Sequence, residues 1–300
     1  MKPFNEIIDH HIDPSDVRQQ FETFQIKLHC CRYWKFHNWN VRNLSAPFWR
    51  FYHNELPGAF VELEGCLYEL NKDQSLLIPP NTPYSILTSG NNSDLNIIDG
   101  SRITSMDEIH HHEPDTFDHL FIHFNLGINR DDCEPGIYKI PVTDQLRKNI
   151  TTIRHHLLKD HVSIPVHITT KIYNVIMESV ASLPQKSWIL THYDERIDDT
   201  LAFIETHLHR NIQNEELAQK VNLVTNSFAR LFRENVGLSV QKYIQKKRIE
   251  KALTLLHHST YTIEQIAREC GFYDLHHFSR VFKQELNMPP TYYRKNMSIA

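Results

Sequence analysis

The sequence predicts an α+β chain in two parts. An N-terminal β-barrel or sandwich is followed by helices, and a C-terminal all-α part holds two helix-turn-helix units. Three observations carry this. Phe228, Arg230, Phe232, Arg233, Leu238 and Tyr243 are answered at an offset of 50 by Phe278, Arg280, Phe282, Lys283, Met288 and Tyr293. Glycine, proline and asparagine punctuate short apolar runs between about 20 and 140. Helical apolar spacing then takes over from Thr143. A chain of 300 residues is long enough for two cores. The predicted domains are 1–190 and 196–300, with a linker over 183–196 that contains Pro184.

Residues 1–14 carry charges and His10-His11 without an apolar core, so they predict no secretory signal. No eighteen-residue apolar run occurs, which predicts no membrane partner. The five cysteines (30, 31, 66, 133 and 270) are odd in number and form no C-x-x-C pair. They predict reduced thiols and a cytoplasmic protein.

Strands are predicted at 49–52, 59–64, 75–78, 84–88, 95–99 and 120–126. In the segment 118–125, alternation puts His119, Phe121 and His123 on one face and Leu120, Ile122 and Phe124 on the other. The polar-aromatic face suits a lumen holding a small polar ligand, with a solvated face as the alternative. Arg50 and Tyr52 alternate together in a second strand and join the candidate ligand residues His119 and Phe121.

The histidines do not predict a metal cage. His110-His111-His112-Glu113 lacks the needed spacing, and His119 and His123 on one strand stand about 13 Å apart. Neither a Gly-rich phosphate loop nor a nucleophile motif is found. No catalytic residue, metal or cofactor is predicted. Leu146, Ile150, Ile153, Leu157 and Leu158 mark one amphipathic helix. Ile168, Ile172, Val175, Ile176 and Val180 mark another, and both suit packing on the barrel.

In the second repeat, Thr262 and Gln265 predict a capping box before the stripe Ile263, Ile266 and Ala267. Gly271 permits a tight turn, and Phe278, Val281 and Phe282 form the buried face of the next helix. The first repeat has weaker signals: Gln213 or Asn214 at its start, and Asn222 in place of the glycine. A helix over 239–256 connects the two. From Arg196 onward there are 15 Lys+Arg against 11 Asp+Glu, and the rest of the chain has 17 against 25. A basic end on an acidic chain points toward a polyanion.

The C-terminal part resembles the DNA-binding domain of the AraC/XylS family of transcription regulators. Ile266-Ala267, Gly271-Phe272, the run Phe278-Ser279-Arg280-Val281-Phe282-Lys283, Pro290 and Tyr293-Arg294 carry the likeness. So do Leu217-Ala218, Arg230-Leu231-Phe232-Arg233, Gly237-Leu238-Ser239, Tyr243, Arg248 and Ala252 in the first repeat. Val224 departs from the family, which usually places a capping Ser there, and Thr225 is the expected substitute cap. The resemblance implies DNA contacts from Thr225, Asn226, Ala229 and Arg230, and from Leu275, His276, His277 and Arg280. Arg suits guanine and Asn suits adenine.

The segment 76–84 resembles the family's cupin-like sensor, with Tyr84 where relatives often have His. The likeness implies an effector, a sugar for instance, at His119 and Phe121. It also implies a homodimer through the two helices after the barrel, RNA polymerase as a further partner, and activation as the commoner outcome. Two other readings compete. One is a cupin-type metal enzyme with an accessory nucleic-acid-binding domain. The other is a ligand-independent DNA-binding protein whose barrel only dimerises.

Overall fold

The computed structural model describes residues 24–88, 96–105, 107–110, 113, 115–127, 131–159, 163–189 and 193–297. Residues 1–14, Leu95, His111 and His112, used in the sequence reading, lie outside these.

The N-terminal part is an antiparallel half-barrel. Its strands are β1 (Lys27–Leu44), β2 (Trp49–His53), β3 (Ala59–Leu63), β4 (Cys66–Leu70), β5 (Gln74–Ile78), β6 (Tyr84–Thr88), β7 (Ile97–Arg102), β8 (Phe117–Asn125) and β9 (Tyr138–Pro141). The order across the sheet is β4-β3-β6-β1-β8-β2-β5-β9, with β7 on the other edge of β1. The long strand β1 has no counterpart in the predicted strands. It pairs with β6, β7 and β8 in turn, and its register shifts between Leu28 and Cys30, between Phe36 and Asn38, and between Val41 and Leu44. Each bulge changes which residues face inward, which erases the period-two pattern.

Both faces of β8 are buried, so the solvated-face alternative falls. A short helix, α1 (Asp107–His110), precedes β8. The helices α2 (Asp144–Leu157) and α3 (Val166–Ala181) cover the outer face of the sheet. Leu120, Ile122 and Phe124 pack there with Leu146, Ile150, Ile153, Ile172 and Ile176. Thr143 caps α2 by accepting from the Leu146 N–H. Arg154 of α2 reaches into the barrel wall and pairs with Asp118 at 2.5 Å and with Glu55. Asp118 also accepts from the Leu56 N–H at 2.8 Å, so this buried charge is neutralised and hydrogen-bonded. The predicted linker is partly structured: a 3-10 turn spans Gln185–Ser187, and the Trp188 ring lies 5.7 Å from Trp49.

The C-terminal part comprises α4 (Glu195–His207), α5 (Asn214–Lys220), α6 (Thr225–Val236), α7 (Val240–His258), α8 (Ile263–Glu269), α9 (Leu275–Leu286) and α10 (Pro290–Met297). Ile197, Leu201 and Ile204 of α4 complete a core with Leu217, Phe228, Phe232 and Ile244. The second unit behaves differently. Ile266, Phe278, Phe282 and Met297 belong to one continuous apolar cluster with Phe36, Tyr52, Tyr84 and Phe121 of the barrel. Among the described residues, no helix is long and apolar enough to cross a membrane.

Candidate nucleic-acid interface and sensor lumen

Both units have the bend that their sequences imply. Asn222 takes φ 55° and Gly271 φ 75°, each in the left-handed region between two helices. At Gly271 a Cβ would lie 2.1 Å from the Leu208 carbonyl oxygen, so space as well as φ demands glycine. Thr262 and Gln265 form the expected capping box on α8. Asp274 caps α9 by accepting from the His277 N–H at 2.6 Å. The first unit has no equivalent. Gln213 and Val224 are the N-cap residues of α5 and α6, and neither makes a side-chain cap. Thr225 does not replace the missing cap, because it is already the first helical residue of α6.

The apolar stripes fix which faces remain open. Phe228 and Phe232 are buried under α6, leaving Asn226, Arg230 and Arg233 exposed, with Thr225 and Ala229 half-buried beside them. A cleft of about 380 Å³ opens here, lined by Asn214, Ala229, Arg230, Arg233 and Gln241. Phe278, Val281 and Phe282 are buried under α9, leaving Leu275, His276, Arg280 and Lys283 exposed. His277 is half-buried, its ring edge-on to Phe272 at 5.6 Å. Tyr273, just before α9, is 94% exposed and has no counterpart among the predicted contacts, and Arg233 and Lys283 add two exposed cations beside them. Arg230 makes only a loose contact with Glu234 at 3.9 Å, which leaves its guanidinium accessible.

The connector α7 has 19 residues, or about 28 Å at 1.5 Å per residue. Arg248 holds it against α4, donating from Nε to the Leu208 carbonyl at 3.1 Å and from Nη2 to the Arg210 carbonyl at 2.7 Å. The Leu208 carbonyl is an orphan acceptor at the C-terminus of α4, where a cation is favoured.

In the barrel, Arg50, Tyr52, His119 and Phe121 are all brought together and buried. The His119 ring lies 4.4 Å from Trp39, 4.8 Å from Tyr52 and 5.5 Å from Phe121. Its Nδ1 is 2.7 Å from Asn54 Oδ1, and burial holds its pKa well below the ordinary value, so the ring is neutral. The Tyr52 and Tyr84 hydroxyls meet at 2.7 Å. Arg50 stacks over Phe48 at 4.9 Å and Tyr84 at 5.1 Å, yet neither of its Nη atoms has a hydrogen-bond partner. Trp39 Nε1, Asn54 Nδ2 and His119 Nε2 are likewise buried without partners. Trp39 and Asn54 were not among the predicted lumen residues, because bulged β1 and the turn after β2 hide them from any periodic pattern.

A second convergence joins the two parts. Cys30 and His123, cross-strand partners on β1 and β8, meet His258 at the end of α7. Their three ligating atoms lie within 4.8 Å of one another.

The helix-turn-helix domain family matches residues 217–296. The chain is 27% identical over 169 residues to the HTH-type transcriptional activator RhaS of Salmonella paratyphi A, a match covering 55% of this chain and 59% of that relative. It therefore spans less than two thirds of the relative's length. The C-terminal domain of AraT, a response regulator from Geobacillus stearothermophilus, is 25% identical, with 36% of this chain and 91% of that one covered at a TM-score of 0.35. ToxT from Vibrio cholerae O395 covers 93% of this chain and 99% of its own at 13% identity and a TM-score of 0.47. Over residues 217–296 the C-terminal pair of helix-turn-helix units is a domain of this helix-turn-helix family.

Proposed function

We propose that this chain is a sequence-specific DNA-binding transcription regulator, an activator rather than a repressor, whose barrel senses a small polar metabolite such as a sugar. One observation carries the DNA part: two recognition helices, α6 and α9, present open polar faces while their apolar faces are buried. A helix of this diameter fits the major groove. In this reading Asn226, Arg230, Leu275, His276 and Arg280 reach base edges, and Thr225, Ala229 and His277 border the contact. Arg230 and Arg280 suit guanine O6 and N7, and Asn226 suits adenine. Gel-shift titrations on cognate and random DNA test this. Arg280→Ala is expected to cost about 1–3 kcal/mol on the cognate site and much less on random DNA. Equal weakening on both would make Arg280 a phosphate contact.

The sensing part rests on the buried polar atoms without partners at Arg50, Trp39, Asn54 and His119. Such groups are costly unless something completes their hydrogen bonds. Hydroxyls of a small ligand have the right chemistry, and Phe121 offers a ring to stack on a sugar's apolar face. The rings around His119 already touch, so a ligand enters only as they separate. A thermal-shift screen of sugars on the full chain is the test. A sugar that stabilises the chain, and fails to do so after His119→Ala or Phe121→Ala, supports the reading. If no sugar shifts the melting temperature, the barrel is better read as a dimerisation module. Homodimerisation through the outer face of α2 and α3, contact with RNA polymerase and a cytoplasmic location complete the proposal. Val166 and Tyr173 on that face are exposed.

A further inference from the structure

We infer that Cys30, His123 and His258 form a binding site for a zinc-class divalent ion at the junction of the barrel and the second helix-turn-helix unit. The meeting of the three is not expected from the sequence, since His258 lies 135 residues from His123. The fold assembles them from three elements. Cys30 and His123 are directly opposed on β1 and β8, which sends their side chains to the same face. The last turn of α7 brings His258 over that face.

The geometry suits a metal better than a hydrogen bond. His123 Nδ1 and His258 Nε2 stand 3.4 Å apart, and their rings are 5.1 Å apart at 69°. For a hydrogen bond that separation is long. Two nitrogens bound at about 2.0–2.1 Å to a tetrahedral zinc are about 3.4 Å from each other. The remaining ring nitrogens, His123 Nε2 and His258 Nδ1, are buried without partners, so neither ring is committed elsewhere.

The donor set selects the ion. One sulfur and two imidazoles make a borderline-soft site that fits zinc and excludes calcium and magnesium, which need oxygens. Cys30 must lose its proton on binding, which releases one proton per ion. The thiolate then offsets half of the ion's charge beside Arg50. Three protein donors leave a fourth position for water, because the neighbouring His29 ring, stacked on His258 at 5.4 Å, has its Nε2 engaged by Asn125 Oδ1 at 2.6 Å. As whole residues, Cys30 and His258 are half-buried.

Position gives the site its consequence. Two ligands belong to the barrel and the third ends the helix that leads into α8. A bound ion therefore fixes the second unit against the sensor. Whether that clamp affects transcription rests on the DNA-binding reading, but the ion itself is tested without DNA.

The experiment titrates Co(II), then Zn(II), into the full chain after reduction and chelator treatment. The expected result is one ion per chain, a thiolate-to-cobalt absorption in the near ultraviolet, and displacement of cobalt by zinc. Zinc should also raise the melting temperature. Cys30→Ser should abolish the thiolate band, and Cys30→Ser and His258→Gln should each weaken binding by at least about tenfold. Cys66→Ser, at an exposed thiol, should change nothing. A chain with His110, His111 and His112 replaced by alanine controls for binding at that histidine run. No bound ion in the wild-type chain would overturn the site, as would undiminished binding in both Cys30→Ser and a natively folded His258→Gln, or loss of binding in the triple-alanine chain alone.

Discussion

The two helix-turn-helix units share one plan but are stabilised differently. In the second, a capping box starts α8, Asp274 caps α9, and Gly271 brings the turn against the Leu208 carbonyl. Its core runs on into the barrel, and Tyr293 of α10 reaches the Ser45 carbonyl at 3.3 Å. The first unit has helices without side-chain N-caps, an asparagine at the turn, and a core completed by α4 and α7. Local signals are therefore strong where the unit is clamped and weak where it stands apart. The first unit is the one expected to open more readily, since among the described residues its two helices have no side-chain N-cap and its core cluster is separate from that of the barrel.

The largest expected effect separates the turns. Gly271→Ala should cost about 3 kcal/mol or more, because a Cβ there meets backbone as well as an unfavourable φ. Asn222→Ala should cost only about 1 kcal/mol, the left-handed penalty alone. Urea melts of the two variants give the ratio, and equal losses would remove the asymmetry. On DNA, Arg280→Ala and Arg230→Ala should each cost about 1–3 kcal/mol at a cognate site. A unit whose arginine can be deleted without effect there is not reading bases.

Smaller effects concern the caps. Asp274→Ala should lose about 1 kcal/mol, since the His277 N–H would be left without its acceptor. Val224→Ser should instead stabilise the chain by about 0.5 kcal/mol, by supplying the cap that α6 lacks. If Val224→Ser is neutral in thermal melts, the start of α6 is satisfied by water and the comparison narrows to the turn.

The repeat was legible because helical spacing, turn residues and caps are all local properties. Thr262 with Gln265 and the left-handed Gly271 follow directly from their own neighbours. The alternation of His119, Phe121 and His123 was legible for the same reason, and these residues do lie inside the barrel. Helix α4 was missed, although Ile197, Leu201, Ile204 and Leu208 recur at helical spacing and mark its buried face. Strand β1 was not legible, because three register shifts break its pattern. The meeting of Cys30, His123 and His258 depends on tertiary contacts that no spacing rule encodes. The fusion of the second unit's core with the barrel is hidden likewise, since any apolar stripe fits either an internal or an interdomain core.

The most direct measurement of the central claim is a footprint of the full chain on a cognate operator. With α6 and α9 held apart by the 19 residues of α7, about 28 Å of helix, each chain should protect two major-groove segments. They should lie on one face of the duplex, about one turn or 34 Å apart. Arg280→Ala should erase the preference at one segment and Arg230→Ala at the other. Protection of a single groove segment per chain, unchanged by one of the two substitutions, would contradict the account.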